Sequence, residues 1–167
     1  GLHTDSEDIF AWAEKQPYVD REKRFLSGQS MGGYIAASCA PRIQPHGLIL
    51  LCPGAGMWFG CAQRADGIMQ TGQDYADLEG LCYKMSFNYE MAKHPDPFTE
   101  AAGYHGPALL LRAEDDRLVD EGTCARYAHG YENPECHTIA GGGHNFATLA
   151  ARAAVEETVA AFIKVHL

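Results

Sequence analysis

The sequence is short of basic residues. Its 13 lysines and arginines stand against 22 aspartates and glutamates, giving a formal net charge of −9 over 167 residues. No basic stripe is available to displace counterions from a phosphate backbone, so no nucleic-acid partner is expected. Long apolar runs are also missing. None approaches the ~18 residues that span a bilayer, and no signal peptide is visible. A cytoplasmic protein without membrane contact is therefore the expectation. The six cysteines form no C-x-x-C, and the eight histidines form neither H-E-x-x-H nor a His-x-His pair. Neither a metal nor another cofactor is expected on that basis. Internal repeats and low-complexity tracts are absent too. The chain opens on Gly1 instead of Met, and Leu2 to Glu7 reads as domain interior, so an upstream segment is expected to be missing.

What is present centres on Gly28-Gln29-Ser30-Met31-Gly32, a G-x-S-x-G motif between the apolar Phe25-Leu26 and the alanine-rich residues that follow Gly33. In a strand–turn–helix context this motif is a nucleophile elbow. The turn is sharp, so small residues are expected two positions before and after the serine, where strand and helix crowd together. The Ser30 hydroxyl then points outward and the Met31 N–H faces the space beside it. The helix N-terminus adds partial positive charge where an oxyanion would form.

Along the rest of the chain, Thr4 to Glu7 fits a capping box for a first helix that carries Ile9, Trp12 and Ala13 on one face and ends at Pro17. The nucleophile helix is expected to stop before Pro41. Gly47 to Cys52 and Gly106 to Leu111 are continuous apolar runs, as in strands buried on both faces. Cys136 to Ile139 is a weaker strand. Helices are expected near Gly122 to Gly130 and from about Phe146 to Val165, where Val155, Val159 and Phe162 form a stripe. Strands alternating with helices imply one α/β domain over residues 1–167, with a mostly parallel sheet flanked by helices. The segment from about 54 to 105 is rich in aromatics and methionine and shows no strong strand. It is expected to form a small helical lid over the serine.

A serine needs a base to take its proton, and the base needs an acid to orient it. On an α/β sheet both come from later loops, in the order serine, acid, histidine. The second apolar run leads into Glu114-Asp115-Asp116-Arg117, and the third strand into Gly141-Gly142-Gly143-His144. Both loops lie at the strand ends where open sheets place their sites. His144 is the expected base. Asp116 is preferred as the acid over Asp115 and Asp120, and Asp120 could equally cap the next helix. Gln29, Trp58 and Tyr83 are expected to contact substrate.

These motifs resemble the α/β-hydrolase superfamily, and more closely its feruloyl/cinnamoyl esterase-like members. The resemblance rests on His3 to Asp8, on Gly28 to Gly33 and on Tyr104 to Leu111. It also rests on the acidic loop and on Gly143-His144-Asn145-Phe146. It implies a partial α/β-hydrolase fold and a serine carboxylesterase cleaving small or aromatic acyl esters through Ser30, Asp116 and His144, with Met31 in the oxyanion hole. Prolyl-oligopeptidase-type peptidases and acyl-peptidases carry a similar elbow. A peptidase, or a catalytically impaired interaction module, is therefore the alternative. Two departures stand out. Arg112-Ala113 replaces the family's usual His-Gly, and the strands that usually precede the elbow, with the second oxyanion donor, have no counterpart. Without them the Phe25 strand is an exposed edge, and a homo-oligomer covering it is a further expectation.

Overall fold

The computed structural model describes residues 1–78 and 81–167. The central sheet has four parallel strands in the order β1-β2-β5-β6. They are β1 (Phe25–Gln29), β2 (Gly47–Leu51), β5 (Ala108–Ala113) and β6 (Glu135–Ile139). The central strands are the two continuous apolar runs. Leu48, Leu50, Leu109 and Leu111 are fully enclosed, because helices cover both faces of the sheet. One face carries α2 (Met31–Ile43), α5 (Pro97–Ala101) and α6 (Glu121–His129), with α1 (Leu2–Ala13) stacked on α2. On the other lies α7 (Leu149–Val165), whose Ala151, Val155, Val159 and Phe162 pack on Ile49, Leu109 and Leu111. Strand β6 is exposed along most of its length, and β1 pairs only with β2 among the described residues.

Several local expectations are corrected. Helix α1 starts at Leu2 with Gly1 as its N-cap and no side-chain cap, so Thr4 lies inside the first turn and the capping box does not form. Its buried side is His3, Ser6, Glu7, Phe10, Ala13 and Glu14, while Ile9 and Trp12 face solvent. The reason is the partner surface. Arg42 of α2 pairs with Glu7, while Arg24 pairs with Glu14 and stacks over the Phe10 ring at 4.4 Å. Charge pairing has chosen the face over hydrophobicity. Helix α2 runs through Pro41 to Ile43 instead of stopping before it. Cys52 lies just past β2, in a left-handed conformation with φ 44°.

The segment expected to be a helical lid holds α3 (Cys61–Thr71), α4 (Phe87–Met91) and α5, but also an antiparallel hairpin of β3 (Tyr75–Leu78) and β4 (Leu81–Lys84). Alternation in these strands is too short to register as a period. The segment rests on the start of α2, where Tyr34 and Ile35 meet Met57, Trp58, Cys61, Phe87 and Met91. No helix among the described residues is long and apolar enough to cross a membrane.

Candidate active site

Ser30 occupies the turn between β1 and α2 with φ 54° and ψ −119°, a conformation that L-residues rarely adopt. It sits at the N-cap of α2, where a serine hydroxyl ordinarily bonds back to the helix, yet it makes no capping bond. The backbone holds the turn instead. Ser30 N donates to Leu51 O at 3.0 Å, and Ser30 O accepts from Tyr34 N and Gly54 N. The hydroxyl is left uncommitted, with no hydrogen bond among the described residues, and the adjacent Met31 N–H has no acceptor there either.

The crowding that shapes this turn differs from the simple expectation. A Cβ on Gly28 would lie 2.1 Å from Gly32 O, so residue 28 must be glycine. A Cβ on Gly32 would meet nothing within 4 Å. The second close approach belongs to Gly33, whose Cβ would lie 2.9 Å from Pro53 Cα, where α2 crosses the end of β2.

His144 and Asp116 meet on the same sheet edge. His144 Nδ1 lies 2.8 Å from Asp116 Oδ2, with the Asp116 side chain wholly buried. The other carboxylate oxygen, Oδ1, accepts from Leu118 N at 2.8 Å and Val119 N at 3.0 Å. Burial pulls the Asp116 carboxyl up. The Val119 N–H, the His144 imidazole, the Leu118 N–H and the Cys52 thiol outweigh it and hold the carboxyl below its usual range. Asp116 therefore stays ionised at neutral pH and can keep a proton on His144 Nδ1, which leaves Nε2 as the basic nitrogen. The three acidic candidates have separate uses. Asp120 caps α6 by accepting from Thr123 N, and Asp115 Oδ1 accepts from Gly143 N at 2.8 Å. Asp116 alone of the three faces the imidazole.

The histidine loop owes its shape to three successive glycines, Gly141, Gly142 and Gly143, all with positive φ. A Cβ on Gly142 would lie 2.7 Å from Ala151 Cβ, so the loop packs tightly onto the start of α7.

Gln29, expected to contact substrate, makes one hydrogen bond at the site among the described residues. Its Nε2 donates to the His144 carbonyl at 3.0 Å, tying the strand of the nucleophile to the loop of the base. Trp58 Nε1 donates to His94 O, and Tyr83 packs edge-on against Phe87. Neither has a hydrogen bond to Ser30, Asp116 or His144 among the described residues. Phe59 is exposed in a cavity of about 300 Å³ that it lines with Asp116, Leu118 and Val119 but not with Ser30 or His144. Only its place in an aromatic-rich segment could have singled it out.

Cys52 was also unforeseen here. Its thiol lies within 4.8 Å of ligand atoms of both Asp116 and His144. Burial, then the neighbouring Asp116, pushes this thiol up to about 12, so it remains a neutral donor.

A parallel sheet with the serine turn, acid loop and histidine loop on one edge defines a hydrolase of the α/β class. A sequence profile described as alpha/beta hydrolase fold matches residues 2–148, and the chain belongs to that family. No curated protein shows a significant sequence match. Among solved structures, Est1E from Butyrivibrio proteoclasticus is similar with a TM-score of 0.76 at 20% identity, over 97% of this chain and 69% of that one. The same protein with ferulic acid bound superposes with a TM-score of 0.75 at 19% identity, over 97% and 68% of the two chains. A monoacylglycerol lipase of Paleococcus ferrophilus gives 0.74 at 15% identity, over 99% and 74%.

Proposed function

We propose that the chain is a serine carboxylic-ester hydrolase working through an acyl-enzyme, with small or aromatic acyl esters of the feruloyl or cinnamoyl type as substrates. Ser30 Oγ attacks the ester carbonyl carbon while its proton passes to His144 Nε2. Asp116 accepts the Nδ1–H and stabilises the imidazolium. The carbonyl electron pair moves onto oxygen, facing the Met31 N–H at the positive end of α2. Collapse breaks the carbon–oxygen bond, and the departing alkoxide takes the proton from His144. Water repeats the sequence on the acyl-enzyme and releases the carboxylic acid.

The observation that supports this reading is the strained, uncapped Ser30 on the same sheet edge as the His144–Asp116 pair. The aromatic acyl class is supported by the ferulic acid bound to a structural relative and by Phe59 in the cavity that Asp116 also lines. Hydrolysis of p-nitrophenyl acetate and methyl ferulate by the native chain tests it, with Ser30→Ala as control. Turnover that survives in Ser30→Ala would overturn the assignment. Parallel amide substrates separate an esterase from a peptidase.

Among the described residues β1 is paired on one side only and Met31 N–H is the one oxyanion donor identified, which favours a second reading, a hydrolase-like module that binds another chain. A fluorophosphonate probe distinguishes the two, since it labels a poised serine and leaves an inert one untouched.

A further inference from the structure

A second cluster of ionisable side chains lies away from the sheet edge. His3 on α1, His94 just past α4 and Glu100 on α5 each offer a ligand atom, and these atoms lie within 4.8 Å of one another. The His3 and His94 rings stack with centroids 3.8 Å apart, and His94 Nδ1 is 3.4 Å from Glu100 Oε1.

Packing does not account for the cluster. His3 Nε2 and Glu100 Oε2 are both buried without a hydrogen-bond partner among the described residues. His3 is only 9% exposed, and the Glu100 side chain only 8%. An unsatisfied buried polar atom costs ~1–3 kcal/mol, so two such atoms left open in one cluster call for a shared donor or cation. A cation is the group that satisfies both. Arg42 supplies part of the charge at 3.0 Å from Glu100 Oε1, but it is divided between Glu100 and Glu7 and does not reach Oε2. The local balance of these three groups stays negative.

We propose that His3, His94 and Glu100 form a zinc-binding site that ties α1 to the 54–105 segment. Two imidazoles and one carboxylate are a borderline-soft donor set suited to zinc and poorly suited to magnesium or calcium. Ligation requires the two rings to turn out of their stack so that both lone pairs meet at the ion. A cavity of about 280 Å³ lined by His3, Tyr34, Phe87, Met91 and His94 opens onto the cluster and admits water as the fourth ligand. The sequence hides this site because its ligands come from three separate elements.

Calorimetric titration of the chelator-treated chain with zinc tests the proposal. About one equivalent is expected to bind, with a rise in Tm that magnesium does not produce. His3→Ala and His94→Ala should each lose that equivalent, while Cys52→Ala should keep it. Because either variant could fail to fold, the native chain is also treated with diethyl pyrocarbonate, with and without zinc. Zinc should protect His94, the partly exposed ligand, while His105 and His129 remain modified. Absence of zinc binding, an unchanged equivalent in both folded variants, or an unprotected His94 would each overturn it. None of these readouts involves ester cleavage, so their failure leaves the reading of Ser30 standing.

Discussion

Gln29 Nε2 donates to the carbonyl of His144 at 3.0 Å, linking the residue before Ser30 to His144, 115 positions away in the chain. The same loop is gripped from its other side by Asp115, which accepts from Gly143 N at 2.8 Å. The backbone of the His144 loop is thus held by two hydrogen bonds, and the imidazole itself by Asp116. Gln29→Leu is expected to cost ~1 kcal/mol of stability and roughly tenfold in kcat, with KM little changed. Steady-state kinetics on p-nitrophenyl acetate checks this, and a loss confined to KM would return Gln29 to substrate contact.

Ser30 pays for its exposure with backbone strain, which separates two substitutions that both remove the hydroxyl. Ser30→Ala keeps a Cβ at φ 54° and should leave Tm almost unchanged. Ser30→Gly relieves strain of ~1–3 kcal/mol and should raise Tm by a few degrees. Both should be inactive and unreactive towards fluorophosphonates. Equal melting temperatures for the two variants would refute stored strain at the elbow.

Gly28 and Gly32 look equivalent in the motif and are not. Gly28→Ala forces a Cβ to 2.1 Å from Gly32 O, backbone that cannot yield, and a cost above ~4 kcal/mol is expected. Gly32→Ala meets open space on a helix and should stabilise by ~0.5–1 kcal/mol. Chemical denaturation of the two variants reads both outcomes.

Asp116 carries a pH signature. Its carboxyl is held below the ordinary value of 3.8, so ionisation favours the folded state. That contribution is complete above the unfolded value and is lost as pH falls through the depressed one. Asp116→Asn should therefore lower stability at neutral pH and flatten the acid limb of the stability curve below about pH 4. Activity should fall ~10⁴-fold, because the amide can no longer fix the proton on His144 Nδ1. An acid limb unchanged by the substitution would show that Asp116 is not held this way.

The sheet and the order of its loops were legible in the sequence because their signals are local. Continuous apolar runs at Leu48 to Leu51 and Ala108 to Leu111, a glycine-flanked serine and a glycine-rich loop before His144 each follow from short-range sterics and burial. The tertiary structure decided whatever depends on the far partner. It turned Phe10 and not Trp12 inward on α1, because Arg24 and Arg42 sit where they do. It gave Asp115, Asp116 and Asp120 three different acceptor roles, and it brought Gln29 to His144 and His3 to His94 and Glu100. Hydrophobic periodicity records which side of an element is buried only when burial is apolar. Pairings between polar groups distant in the chain leave no periodic trace, and the packed fold alone selects them.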